Sequence, residues 1–265
     1  MTGRAAMTSF LPEARTATAA ADARAARARL GLPAGIHACL FDLDGVLTQT
    51  VLLHAAAWKE TFDAFLRERS RCEHESFVPF DVRDYERHVD GRPRYDGVRA
   101  FLAARGIEVD DAGVIALGDQ KNEHLLELIR QRGVEPYPGS VEYLLSVRDA
   151  GLRRAVVSAS ANCGAALEAS GLANLFEVRI DAARATADKL RGKPSPDTFL
   201  AAARELDVEP AEAAVFEDAL AGVAAGRAGG FGFVVGVDRS GHAEDLRRAG
   251  ADRVVPDLSE LLGRE

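Results

Sequence analysis

Short apolar runs closed by turn residues recur along this chain, and stretches with apolar positions three and four apart lie between them. The run "IHACLF" ends at Asp42 and reads as a buried strand. From Val51 to about Arg69 the pattern becomes helical. His54, Trp58, Phe62 and Phe65 are spaced by four, four and three, which places them on one helix face. Arg71 to Gly133 stays helical in pieces, interrupted by "FVPFDVRDY", "VDGRPRYDG" and "RGIEVDDAG", with no convincing buried strand. The cluster "EPYPGS" then punctuates the chain.

Beyond it the two periods alternate. Val141–Arg148 reads as a helix, "RRAVVSAS" as a strand and Asn162–Ser170 as a helix. "FEVRI", "AAVFED", "FGFVVGV" and "DRVVP" follow as strands, with helices at Pro196–Leu206 and Ala219–Ala228. Repeated strand–helix units predict an α/β fold, a doubly wound, Rossmann-like parallel sheet covered by helices on both faces. The helical block after the first strand is then an inserted cap. The expected organisation is an N-terminal extension over 1–33, an α/β core over 34–50 and 136–265, and a helical cap over 51–135. Hinges are expected near Leu47–Thr50 and Pro136–Gly139.

Composition narrows the class. Of the 265 residues 47% are hydrophobic and 28% charged, enough apolar material for a real core. The formal net charge of -8 argues against nucleic acid or an anionic membrane as the main partner. Cys39, Cys72 and Cys163 are odd in number and widely spaced, so neither a disulfide framework nor a structural zinc site is expected, and a reducing cytoplasm fits best. No run is long and apolar enough to cross a bilayer. The start of the chain is rich in Ala, Arg and Thr and poor in acids, as transit peptides are. The same bias recurs in "AFLAARG" and "FLAAAREL", so a surface helix or frayed extension is expected instead.

In an open parallel sheet, reactive groups collect at the carboxyl ends of the strands. Asp42 and Asp44 follow the first strand, Ser158 the second, and Glu217 and Asp218 the "AAVF" strand, while Lys193 sits in the loop "RGKPSPD". Two carboxylates so close repel each other unless a cation intervenes or one is protonated. Carboxylates without a histidine or cysteine cluster suit a hard cation such as Mg²⁺ together with a substrate phosphate. In extended chain, Asp42 and Asp44 point to the same side. One can then act as nucleophile while the other exchanges a proton with the bridging oxygen. Ser158 and nearby backbone amides can hold phosphate oxygens, and Lys193 can balance their charge. Two decoys fail: "GGFGF" precedes a strand instead of following one, and "GKPS" has Ala187 where a phosphate loop needs glycine.

"FDLDGVLTQT", "VVSASAN", "GKPSPD" and "FEDALAGVAAGRAG" resemble, in order, the four motifs of the haloacid dehalogenase superfamily, over nearly everything from Ile36 onward. Within it, Thr50 to His54, "DGRPR", Lys121-Asn122 and "SASAN" are similar to the beta-phosphoglucomutase family. The resemblance implies that Asp42 is phosphorylated and Asp44 is the general acid and base. It also implies Mg²⁺ held by Asp42, the Asp44 carbonyl, Asp218 and, directly or through a second shell, Glu217. Ser158, Ala159 and Lys193 would grip the transferring phosphate, and Arg94, Ser160 and Asn162 the distal one. Thr50, His54, Gly91 and Lys121 would serve the cap and the sugar. His54 shares its face with Trp58, so a merely packed histidine stays open, as does plain surface charge for Arg94 and Lys121.

The departures are Gln49, where many relatives carry an acid, the basic "RPR", the extension, and the cap segment "RSRCEHESFVPFD". The implied function is interconversion of beta-glucose 1-phosphate and glucose 6-phosphate through a sugar bisphosphate. The alternatives are a sugar-phosphate phosphatase of the same superfamily and, further off, a non-catalytic phosphosugar-binding protein. The expected partner is a small sugar phosphate, and a monomer is the default because the cap must swing.

Overall fold

The computed structural model describes residues 28–74 and 76–263. The expected surface helix or frayed start lies mostly outside them. Where the description begins, Leu30 is buried and its carbonyl accepts a hydrogen bond from the Tyr143 hydroxyl at 3.0 Å.

Six strands form one sheet: β1 (Ala38–Phe41), β2 (Arg153–Val157), β3 (Val178–Ile180), β4 (Ala213–Glu217), β5 (Phe233–Val237) and β6 (Arg253–Val255). Every pairing is parallel and the spatial order is β3-β2-β1-β4-β5-β6. The strands are short, apolar and buried because helices cover both faces. Alternation along β1 feeds two separate layers. Cys39 and Phe41 pack into one apolar cluster with Tyr143, Val156 and Phe216, and Ala38 and Leu40 into the other with Phe199 and Val215. Within the first layer Phe41 and Phe216 stack at 4.5 Å.

Between β1 and β2 the chain builds α1 (Val51–Glu73), a π-helical turn at Tyr85–Val89, α2 (Arg94–Ala104) and α3 (Asp111–Arg132). These helices enclose their own aromatic core. Trp58 stacks on Phe62 at 4.9 Å, and Phe62 meets Phe101 at 4.2 Å. The two passages between this layer and the sheet are bonded side by side. Gln49 N donates to Glu135 O at 2.8 Å, and Tyr137 N to Leu47 O at 2.9 Å. The remaining helices are α4 (Pro138–Asp149), α5 (Cys163–Ala169), α6 (Ala182–Ala187), α7 (Asp197–Glu205), α8 (Leu220–Ala228) and α9 (Ala243–Ala249). The sequence pattern marks neither α6 nor α9, and α9 buries only Leu246. No helix among the described residues is long and apolar enough to cross a membrane.

The strand order sets the place of the site. From β1 the chain builds β2 and β3 to one side, then returns to build β4, β5 and β6 on the other. The crevice beyond the carboxyl ends of β1 and β4 is therefore the switch point, where open α/β sheets bind ligands.

Candidate active site

A cleft of about 640 Å³ opens over that crevice, with the sheet's loops on one wall and the helical layer on the other. Asp42 leaves β1 into it, its N–H bonded to Phe216 O at 2.9 Å. Glu217 ends β4 and Asp218 follows. Oxygens of Asp42, Glu217 and Asp218 lie within 4.8 Å of one another, and all three residues are buried. Lys193 reaches in beneath them. Its Nζ contacts the Asp42 and Glu217 carboxylates and donates to Val157 O at 3.1 Å. Glu217 meets Lys193 through Oε1 and accepts from the Ala219 N–H at Oε2, 3.2 Å away.

The electrostatics follow from this crowding. Burial pushes the Asp42 carboxyl well above its ordinary range. Lys193 opposes that, while Glu217 and Asp44 add to it. Asp218 is raised by burial and then by Asp90, Asp42 and Glu217. Burial works against the Lys193 charge, but Asp42 and Glu217 outweigh it and raise its pKa. Three converging hard oxygen donors, buried together at the strand ends, fit a divalent cation such as Mg²⁺. Gly45 makes the crowding feasible. It takes φ +86° in the turn after Asp44, and a Cβ there would strike the Asp218 carboxylate.

β1 ends at Phe41 and the chain turns, yet Asp42 and Asp44 line the same cleft, as expected, each with its own partners. Asp44 accepts from the Thr50 hydroxyl, lies 3.4 Å from Ser158 Oγ, and faces His54 Nε2 at 3.5 Å. Its carboxylate is not among the metal-competent oxygens, which leaves only its backbone carbonyl for the ligand role the resemblance implies.

His54 and Lys121 join this side. Lys121 Nζ lies 3.2 Å from His54 Nδ1 and sits over the Trp58 ring at 5.1 Å. Burial, aided by Lys121, lowers the His54 pKa to about 4. The ring is therefore neutral at pH 7, and accepting at Nδ1 leaves its proton on Nε2, facing Asp44. Burial also lowers Lys121 to about 7, against the pull of Asp44.

The remaining residues converge across the cleft. Asn162 N donates to Ser160 Oγ and Ser160 N to Ser158 Oγ, both at 3.1 Å, in a ladder that opens α5. Arg94 from α2 donates to Asn122 Oδ1 at 2.8 Å, and Asn162 donates to the same oxygen at 2.9 Å. Arg94 also meets Asp119 at 3.3 Å. Gly91 takes φ +68°, and a Cβ there would lie 2.8 Å from that of Ala219, so the loop carrying Arg94 seats directly on the start of α8. Ala159 lines the cleft beside Ser158. All the residues singled out in the sequence thus surround one crevice. Asn122 and Asp90 lie within the quoted "KN" and "DGRPR", but the joining role of Asn122 and the presence of Asp90 and Tyr85 in the wall are not read from sequence.

Comparison with known proteins agrees with this geometry. Residues 36–230 match the family model described as haloacid dehalogenase-like hydrolase. The match, over most of the described chain, places the protein in the haloacid dehalogenase-like class. The chain is 52% identical over 246 residues to the beta-phosphoglucomutase of Mycobacterium bovis, covering 88% of this chain and 94% of the relative. The fold also matches the beta-phosphoglucomutase structure from Clostridium difficile with TM-score 0.70 and 26% identity, over 85% and 93% of the two chains. A mutant of the CbbY protein of Rhodobacter sphaeroides, solved in complex with xylulose 1,5-bisphosphate, matches with TM-score 0.67 and 27% identity over 85% and 96%. The chain belongs to the beta-phosphoglucomutase-like family of haloacid dehalogenase-like proteins and is an enzyme of the phosphotransferase type.

Proposed function

We propose that this enzyme is a Mg²⁺-dependent sugar-phosphate mutase that interconverts beta-glucose 1-phosphate and glucose 6-phosphate through a phosphorylated Asp42 and a sugar bisphosphate. The observation that carries the reading is the meeting of Arg94, Asn122 and Asn162 across the cleft from Asp42. A hydrolase needs one phosphate grip. A mutase whose intermediate carries two phosphates needs a second, and this cluster of donors from cap and core supplies a candidate.

The chemistry follows from the residues. Asp42 attacks phosphorus, forming an aspartyl phosphate as the bond to the sugar oxygen breaks, and Asp44 gives that oxygen its proton. In the return step Asp44 takes the proton from a different sugar hydroxyl, which attacks the aspartyl phosphate and frees Asp42. The Thr50 hydroxyl and His54 Nε2 hold the Asp44 carboxylate for both transfers. Ser158 and Lys193 sit where the transferring phosphate must lie. Asp42, Glu217 and Asp218, with the Asp44 carbonyl, would hold the Mg²⁺, which supplies charge neutralisation at the phosphate.

The test is a coupled assay of purified protein with Mg²⁺ and beta-glucose 1-phosphate, primed with beta-glucose 1,6-bisphosphate, reading glucose 6-phosphate and free phosphate in parallel. The expected result is glucose 6-phosphate without stoichiometric phosphate release. Asp42→Asn should abolish it, and Arg94→Ala should reduce it by one to two orders of magnitude, as loss of a charge-assisted contact does. Phosphate release without glucose 6-phosphate would make the enzyme a phosphatase.

A further inference from the structure

The Asp90 carboxyl enters this anion-binding cleft from the cap, where a phosphate site has no use for it. It stands between the π-helical turn and Gly91, and lines the cleft together with Asp42, Asp44 and Asp218. The Asp90 N–H donates to Tyr85 O at 2.9 Å, and the buried Tyr85 lines the same wall. Among the described residues no lysine or arginine lies within ion-pair distance of the Asp90 carboxyl.

The chemistry of the group excludes two ligands. A phosphate presents only acceptors and would be repelled by a carboxylate. The oxygens close enough to share a cation are those of Asp42, Glu217 and Asp218, and Asp90 is outside that set. What a carboxylate in a ligand cleft can still bind is a neutral donor, and a sugar presents a ring of them. The backbone bond to Tyr85 fixes where Asp90 enters the cleft, and a carboxylate there presents acceptors only. The rest of the wall is complementary. Arg94, Lys121, Asn122 and Asn162 gather cations and amide donors on one side of the cleft, and Asp90 presents an acceptor.

We propose that Asp90, held by Tyr85, accepts a hydrogen bond from a ring hydroxyl of the bound sugar and is a specificity-determining residue of this enzyme. The assignment rests on the sugar-phosphate reading above. It makes the enzyme a reader of one hydroxyl that takes no part in phosphoryl transfer.

The experiment measures kcat/KM for beta-glucose 1-phosphate and its 2-deoxy, 3-deoxy and 4-deoxy analogues, with wild type, Asp90→Ala and Asp90→Asn. Wild type should be slower on one analogue by about 10- to 100-fold, the worth of a hydrogen bond to a charged group. In Asp90→Ala that penalty should fall to about threefold or less, because the partner of the missing hydroxyl is gone as well. Asp90→Asn, nearly isosteric, should reduce the same penalty and serves if the alanine variant fails to fold. A general loss of structure would slow all substrates together and leave the penalty in place. Equal penalties in wild type and variants, or none in wild type, overturn the assignment to Asp90 alone. Absence of turnover of any sugar phosphate by wild type overturns the sugar reading and this assignment with it.

Discussion

Replacing Gly91 by alanine adds one methyl group at the point where the cap loop touches the sheet's loops. Two costs follow from the geometry. At φ +68° an L-residue pays about 1–2 kcal/mol relative to glycine. The new Cβ would also lie 2.8 Å from the Ala219 Cβ, where carbon atoms settle at about 3.5–4.0 Å, so something must move by roughly 1 Å. Ala219 is 3% exposed and follows directly on Glu217 and Asp218, so the cap loop gives way. Arg94 sits three residues along that loop, and a displacement of roughly 1 Å in a positioning group can cost about 100-fold in rate. The variant should therefore lose about 1–2 kcal/mol in denaturant unfolding and remain folded, while kcat/KM falls on the order of 100-fold. Adding Ala219→Gly removes the partner methyl and should restore much of the activity but not the lost stability. Activity of Gly91→Ala within about threefold of wild type would refute the reasoning, because cap seating would then not position Arg94.

Further outcomes follow from the site's charges. Lys121 holds its proton below about pH 7 and loses it above, so kcat/KM should fall as pH rises through about 7, and Lys121→Arg, which stays charged, should lack that limb. The linkage has the opposite sign for stability. Between about pH 7 and 10.5 the unfolded chain keeps a proton that the folded chain sheds, so Lys121 makes stability rise with pH across that window. For the carboxylates the raised pKa values of Asp42 and Asp218 mean that, in chelator, stability declines as pH rises from 3.8 through their folded values. Mg²⁺ at about 100 times its Kd should then raise stability at neutral pH by about 2.7 kcal/mol, read as a shift in Tm, and Asp218→Asn should abolish most of that shift.

The parallel sheet is legible in the sequence because its central strands β1 and β4 are short apolar runs buried on both faces, and the others keep an apolar core closed by turn residues. The helices that carry an apolar stripe, such as the one bearing Trp58 and Phe62, are legible for the same reason. Ala182–Ala187 buries nothing and Ala243–Ala249 only Leu246, so neither writes a period into the chain. The strand-end residues of the site were readable from position alone. The partners of Asp44 were not, because they depend on a turn that Gly45 permits and on a hydroxyl, Thr50, supplied from beyond the loop. Asn122 and Asp90 lie in stretches that carry the resemblance, but nothing local states what they do. Their roles arise where the helical layer meets the sheet, a contact that no single segment encodes.

The measurement that bears most directly on the proposed mutase is the fate of the phosphoryl group on Asp42. Protein labelled with radioactive phosphate from beta-glucose 1,6-bisphosphate is mixed rapidly with excess glucose 6-phosphate and Mg²⁺, and the label is followed. The account predicts that the label leaves on sugar bisphosphate, faster than it leaves as free phosphate without the sugar. Label released only as free phosphate, at a rate that glucose 6-phosphate does not change, would contradict it.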